Sequence, residues 1–357
     1  MLKRKIRSSL RDYNVYYSRD FEFIDDIRNI EDSFYVVDKK VYNLYPEYFK
    51  GVPQERLYLF DAIEENKTLA SAISLYEELV AKGFKKSHTL ISFGGGITQD
   101  TAGFVASTLY RGVPWICVPT TLLAQADSCI GGKTSLNFLD YKNILGTFYP
   151  PEKVYVDSAF IKTLSDLDFY SGVGEIIKML LLDVNDKVNL EDIERIKDVS
   201  KEDTEELLSF IEKSHEIKIE HIEADEFDGG KRNMLNFGHC FGHALEVTSN
   251  YKVPHGIAVI IGMVYANIAS KNRGLLSAEQ CDEINRRCLL DNIPIKLEKE
   301  YFKSDKLLDA MKKDKKRTGK DLAMILLDET LRPIMCQDFT ASEFEGNLED
   351  LQVALMK

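Results

Sequence analysis

Three consecutive glycines, Gly94 to Gly96, stand between an apolar strand-like run, HTLISF (88–93), and a helix-like segment over about 100–110. A strand that feeds a glycine loop and then a helix is the opening of a βαβ unit, and few folds contain it outside parallel sheets. The neighbouring segments agree. FYVVD (34–38), LYLFDA (57–62) and PWICVP (114–119) read as short buried strands. Leu69, Ile73, Tyr76 and Val80, spaced at three and four, predict an amphipathic helix over 67–82. Strands alternating with helices predict a mostly parallel sheet covered on both faces.

Beyond Asp157 the texture becomes helical. Helices are expected at LSDLDFYSGVGEIIKMLLL (164–182) and over 202–223, 233–248, 256–270 and 278–290. A hairpin is expected at DLAMILLDETLRPIMCQDF (321–339), turning at Glu329 and Thr330, with a last helix from near Ala341. The division is drawn near 165, giving an α/β domain over 1–165 and a mainly helical domain over 166–357. No repeat or low-complexity linker separates them, so the halves are expected to pack with a cleft between them.

A net charge of −12, from 46 Lys and Arg against 58 Asp and Glu, excludes a general nucleic-acid surface. It leaves room for a local basic pocket. The six cysteines form no CxxC pair and read as buried thiols of a reducing compartment. The N-terminal stretch lacks the apolar core of a signal peptide, and no apolar run is long enough to span a bilayer, so no membrane partner is expected and the expected location is cytoplasmic.

The glycine loop is suited to a nucleotide pyrophosphate. Glycine lets the backbone approach phosphate oxygens, and the following helix start supplies free N–H groups. It is not the GxGxxG fingerprint, so a tight structural turn is the competing reading. VPTTLLAQADS adds Thr120, Thr121 and Asp127, whose hydroxyls and carboxylate suit ribose and phosphate oxygens. Three of six histidines fall close together. His239 and His243 stand four apart on one expected helix, and His255 follows in VPHG. An HxxxH pair either holds zinc or packs in a core. Glu175, three residues before Lys178 on an otherwise apolar helix, would be costly to bury unpaired, which favours a metal held by histidines and one carboxylate. Lys133 in GGKTS, Lys142, Lys218 and Arg232 could hold a phosphate and a carboxylate. Helical phase puts Arg232 on the same face as His239. Lys315 and Lys316, in MKKDKKRTGK, read on their own as a solvated charged run.

The ordered set GGGITQDTAGF, RGVPW, VPTTLLAQADSCIGGKTS, KN, GEIIK, RNMLNFGHCFGHALE, VPHG and DKK resembles the 3-dehydroquinate synthases, a branch of the sugar-phosphate cyclases. The match runs from about Glu64 to Lys316. The resemblance implies an NAD-binding α/β domain, a helical metal and substrate domain, an active site between them and a homodimer. It assigns the metal, usually zinc and alternatively cobalt, to Glu175, His239 and His255. NAD contacts are implied at Glu64, Lys67, Gly95, Gly96, Asp100, Thr120, Thr121, Lys142, Phe160 and Thr163. Substrate and catalytic positions are implied at Lys133, Asn143, Lys178, Lys218, Arg232, Asn236, His243 and a lysine of the DKK motif, Lys315. His243 thus moves from the metal to the substrate.

The implied reaction converts a phosphorylated seven-carbon keto acid to 3-dehydroquinate and phosphate, through NAD-mediated oxidation, elimination, reduction and intramolecular aldol closure. A cyclase of another sugar phosphate (sedoheptulose 7-phosphate or glucose 6-phosphate type), a metal-dependent polyol dehydrogenase and a non-catalytic relative are the alternatives. Four positions depart from the family's common pattern: Ile257 after VPHG in place of Glu, Gln99 in place of glycine, Asp228 in place of Glu, and Lys40 near the adenosine. The Ile257 change is expected to remove a carboxylate behind the metal.

Overall fold

The computed structural model describes residues 1–139, 141–183, 188–312 and 322–355. The chain forms two compact units, Met1–Leu164 with Lys201–His215, and Ser165–Ser200 with Glu216–Lys357. A single boundary at 165 would assign 201–215 to the second unit, yet these residues group with the first.

The first unit is built on a seven-stranded sheet. Its strands are β1 (Leu2–Ile6), β2 (Tyr13–Ser18), β3 (Ser33–Asp38), β4 (Leu57–Phe60), β5 (Thr89–Gly94) and β6 (Trp115–Pro119). After a separate hairpin of β7 (Lys133–Phe138) and β8 (Tyr141–Phe148), β9 (Lys153–Asp157) completes it. The order is β1-β2-β9-β6-β5-β3-β4, parallel throughout except for the β1–β2 pair. Both faces of the central strands are buried, which is why they read as unbroken apolar runs. Tyr35 and Val37, Ile91 and Phe93, Ile116 and Val118, and Tyr155 alternate onto one face, where Phe23, Phe49 and Phe160 cover them.

The order locates the ligand crevice. From β3 the chain moves outward to its neighbour β4, whereas from β5 it moves the opposite way to β6, and β3 and β5 are adjacent. The direction reverses between β3 and β5. In open α/β sheets, ligands bind beyond the carboxyl ends of strands at such a point, and here that end carries Asp38 and Gly94–Gly96.

The second unit is helical, with a terminal hairpin of β10 (Leu322–Leu327) and β11 (Pro333–Phe339) and a last helix Ala341–Leu355. Among the described residues no helix is long and apolar enough to cross a membrane.

Several local expectations need correction. The helix expected over 67–82 is Leu69–Ala81, but it buries Ala72, Leu75 and Leu79. Leu69, Ile73 and Val80, on the stripe chosen from sequence, are 37%, 47% and 56% exposed. Small Ala72 completes a stripe that hydrophobicity counting passes over. The helix after the glycine loop begins at Gly96, inside the loop, not at 100. The helix expected over 233–248 is two pieces, a 3-10 stretch Lys231–Asn236 and the helix His239–Thr248. The break falls at Gly238, which adopts φ +76 and would place a Cβ 2.6 Å from the Val259 carbonyl oxygen. Helical phase therefore does not relate Arg232 to His239. The helix expected over 278–290 is α-helical only over Ala278–Ile284, followed by a π turn, Asn285–Leu289.

Candidate functional site

Two polar clusters carry the expected site residues, one in each unit. In the first, the β7–β8 hairpin gathers residues that are far apart in sequence. Lys67 Nζ lies 2.6 Å from Asp100 Oδ2 and 2.6 Å from Asn143 Oδ1. Ser135 Oγ stands 3.0 Å from Asp100 Oδ2 and 2.9 Å from Asn143 Oδ1. Asn137 Nδ2 donates to Glu64 Oε1 at 2.8 Å, its Oδ1 accepts from the Asn143 N–H at 3.0 Å, and Lys142 Nζ is 3.7 Å from Glu64 Oε1. Glu64, Lys67, Asp100, Lys142 and Asn143 thus form one network. Ser135 and Asn137, which tie it together, were missed from sequence. Their alternation with buried Thr134 and Leu136 was the available signal.

The glycine loop abuts this network at Asp100. A Cβ on Gly94 would fall 2.4 Å from Thr98 Oγ1, and one on Gly95 would fall 2.9 Å from Thr121 Cγ2. Both glycines thus stand in close approach to their neighbours, and Thr121 borders the loop. The Thr120 N–H donates to the Gly94 carbonyl at 3.0 Å. Asp127 lies in a π turn, Ala124–Ser128, half-buried. Gln99, which replaces a common glycine, is buried and donates from Nε2 to the Ser128 carbonyl at 2.6 Å, so it links that turn to the glycine-loop helix. Phe160 is buried edge-on to Phe21 and Tyr45, and Thr163 Oγ1 pairs with the Tyr45 hydroxyl at 2.8 Å. Lys133 is exposed at the start of β7, and Lys40 is exposed in the first turn after β3.

The second cluster begins where two helices cross at glycines. Gly174, in Asp166–Leu181, would put a Cβ 2.3 Å from the Gly256 carbonyl oxygen; Gly256, in His255–Asn272, would put one 1.7 Å from that of Ser171. This approach brings Glu175 beside His255. Glu175 Oε1 is 3.3 Å from His255 Nε2 and 3.6 Å from His239 Nε2. Atoms bound tetrahedrally to one zinc at about 2.0–2.1 Å stand about 3.3–3.4 Å apart, so both separations from Glu175 are close to those between ligands of one metal. One nitrogen each from His239, His243 and His255 also lie within 4.8 Å of one another. The Glu175 carboxylate is 1% exposed, and among the described residues neither of its oxygens has a well-aligned hydrogen-bond donor, although Lys178 Nζ lies 2.6 Å from Oε2. A buried carboxylate left in this state fits a cation.

The charges are strongly coupled. Burial opposes ionisation of Glu175, but Lys178, His239 and His255 outweigh it and hold the carboxyl well below its ordinary range. Burial, reinforced by the Lys178 ammonium, holds His239 well below its usual value. Burial would also depress His255, yet Glu246 and Glu175 overcome it and push the imidazole up to about 10.

Glu246 was missed from sequence. It is 5% exposed, and its Oε2 lies 3.0 Å from His255 Nδ1, which aims Nε2 at Glu175. This corrects the expectation attached to Ile257. Ile257 is fully buried in the helix core, and Glu246 supplies the carboxylate behind His255. Replacing Glu246 by Ala removes the group that orients His255, so metal affinity should fall roughly 10–100-fold. Competition with a chelator, on protein shown to be folded, measures this, and an unchanged affinity would rule the role out.

Three cations of this unit are buried, and one of them, Lys178, lies beside Glu175. Lys178, Lys218 and Arg232 are 2%, 5% and 3% exposed. Arg232 is set by the loop before it. Asp225 accepts from the N–H groups of Gly229, Gly230 and Arg232, and Arg232 Nη1 donates to the Glu226 carbonyl at 2.6 Å. Asp228, within that loop, takes φ +59. His221, missed from sequence, is buried three residues after Lys218; burial, with Lys178 and Arg232 nearby, lowers its basicity. Asn236 is half-buried, with Nδ2 donating to the Asn233 carbonyl at 2.8 Å, and the His243 ring centroid is 5.3 Å from that of His239. Lys315 and Lys316 lie outside the described residues.

Residues 57–171 match the model of the 3-dehydroquinate synthase N-terminal region, and 172–317 match that of its C-terminal region. A 3-dehydroquinate synthase of Streptococcus pyogenes serotype M3 is 32% identical over 334 residues, 91% of this chain and 92% of that one. One from Streptococcus pneumoniae is 36% identical over 313 residues, 85% of this chain and 87% of its own. Among solved structures, 2-epi-5-epi-valiolone synthase from Streptomyces hygroscopicus, with NAD+ and Zn2+ bound, superposes with a TM-score of 0.85 at 23% identity, covering 97% of this chain and 99% of that chain.

Proposed function

The chain belongs to the 3-dehydroquinate synthase family, and from that premise we propose that it is an NAD- and metal-dependent cyclase of a phosphorylated seven-carbon keto acid, forming 3-dehydroquinate and phosphate. The observation that carries the reading is the convergence of Glu175, His239 and His255 beside the buried Lys178. Lys178, Lys218 and Arg232, all buried in the same unit as this cluster, are the cations this reading assigns to a doubly anionic substrate.

In this reading Glu175, His239 and His255 hold the divalent metal, zinc or cobalt. Glu64, Lys67, Gly95, Gly96, Asp100, Thr120, Thr121, Asp127, Lys142, Phe160 and Thr163 form the NAD site. When bound, the metal would supply a Lewis acid for a substrate hydroxyl, and NAD would supply a reversible hydride acceptor. The chain's own residues orient and hold charge. Arg232, kept rigid by Asp225 and the Glu226 carbonyl, presents its guanidinium to a carboxylate or phosphate, with Lys218 and Asn236 as further donors. Lys178 holds positive charge beside the metal cluster, and His243, next to His239, is placed to carry a proton at a ring nitrogen. Lys133, Asn143 and Lys315 complete the proposed substrate positions. A homodimer and a cytoplasmic location accompany this reading.

Arg232→Ala should raise KM for the keto-acid phosphate by roughly 10–100-fold, the loss of charge-assisted hydrogen bonds. Steady-state kinetics across that substrate, sedoheptulose 7-phosphate and glucose 6-phosphate tests the assignment. Turnover confined to either of the latter two would transfer the chain to another cyclase activity.

A further inference from the structure

His215 belongs to neither cluster, yet it is fully buried, in the helix Thr204–Ala224. Its Nε2 lies 2.6 Å from the Gln125 carbonyl oxygen and its Nδ1 lies 2.8 Å from the Tyr17 hydroxyl. A carbonyl only accepts, so Nε2 carries hydrogen, and in the neutral ring Nδ1 accepts from Tyr17.

The partner is informative because Gln125 sits in the π turn Ala124–Ser128. The Cys129 N–H, which an α-helical turn would direct to the Gln125 carbonyl, goes to Ala124 at 3.1 Å, and the Ile130 N–H goes to Asp127 at 3.4 Å. The carbonyl displaced in this way is met by His215, with the Cys129 thiol 3.4 Å away as a weak second donor. π turns are rare and frequent at functional sites, and here an imidazole from a distant helix meets the carbonyl that the turn displaces.

The turn continues directly from the proposed nucleotide loop. The Gln125 N–H donates to the Thr121 carbonyl at 2.9 Å, and the Ala124 N–H donates to Thr121 Oγ1 at 3.2 Å. Gln125 Nε2 reaches the carbonyls of Pro119 and Asp157 at 3.0 and 2.7 Å, tying the ends of β6 and β9 together. Thr121 in turn borders Gly95. We propose that His215 is a positioning residue of the nucleotide site: by satisfying Gln125 it fixes the π turn that holds Thr120 and Thr121 against the glycine loop. This rests on the NAD reading above.

The test is NAD titration of metal-loaded protein, followed by quenching of Trp115, the only tryptophan. His215→Leu leaves the carbonyl unmet and should raise the Kd for NAD about tenfold, the scale of one unsatisfied buried acceptor. His215→Gln, whose amide N–H can replace Nε2–H, should stay within about threefold of wild type. Metal content should be unchanged in both. A role confined to packing would lower thermal stability in both and leave Kd alone, so a folded His215→Leu protein with wild-type Kd overturns the proposal. If the leucine variant does not fold, His215→Asn, whose amide is too short to reach, replaces it, and equal affinity in the Asn and Gln variants overturns the proposal. Wild-type protein that binds no NAD would instead refute the nucleotide reading, and this inference with it.

Discussion

Glu175→Gln protein should fold, bind no stoichiometric metal, and lose roughly 1000-fold or more in kcat/KM, because a Lewis acid contributes several kcal/mol at the transition state. Glutamine is the informative change. Glu175 is 1% exposed and its partner Lys178 is 2% exposed, so truncation would strand a buried ammonium and cost about 3–5 kcal/mol of stability. The amide keeps an oxygen for Lys178 while removing the negative charge that His239 and His255 share with it. Metal analysis after dialysis, together with circular dichroism, separates ligand loss from unfolding. Full metal occupancy in a folded Glu175→Gln protein would refute this ligand set and leave the three histidines as the alternative.

The second large effect comes from a methyl group. Gly256→Ala should destabilise the protein by about 3 kcal/mol, the upper end of ordinary overpacking. The added Cβ would meet the Ser171 carbonyl oxygen at 1.7 Å, and that atom is backbone, so no rotamer change relieves the clash. The Gly256 N–H also donates to Ser171 Oγ at 2.9 Å, so separating the helices would break this bond as well. His255 and Glu175 lie next to the crossing, and forcing it apart should weaken metal binding in whatever protein remains folded. Chemical denaturation of metal-free protein measures the stability change. A loss below about 1 kcal/mol would show that the two helices can shift at little cost.

Strand identity in the sheet was readable from sequence because strands buried on both faces read as apolar runs, as in FYVVD, HTLISF and PWICVP. Strands β1, β2, β7, β8 and β9 were not found. In β2 the alternation of buried Tyr13, Val15 and Tyr17 hides among further tyrosines and polar residues, and β7 and β8 mix apolar with polar side chains. The helix 69–81 was found but turned to the wrong face, since Ala72 carries little weight in a hydrophobic count and only packing shows it buried. At the candidate site, residue types were more legible than geometry. Glu175 was singled out because a carboxylate on an apolar helix needs a partner, and the structure gives it Lys178, His239 and His255. Arg232 could not be placed by helical phase, because the chain is not helical at Gly238, which takes φ +76 between a 3-10 stretch and the next helix. Ser135 and Asn137 carried only the weak signal of alternation in β7, and nothing in a single sequence marks Glu246, His221 and His215, which act through other residues.

Phosphate balance against NADH is the most direct test of the proposed chemistry. Metal-loaded protein should be given the seven-carbon keto-acid phosphate with NAD well below the substrate concentration. Phosphate and the carbocyclic product should then form together, far in excess of the NAD supplied, with no accumulation of NADH absorbance. NADH rising in step with substrate loss, with no phosphate released, would contradict the cyclase and make the protein a polyol dehydrogenase built on the same fold.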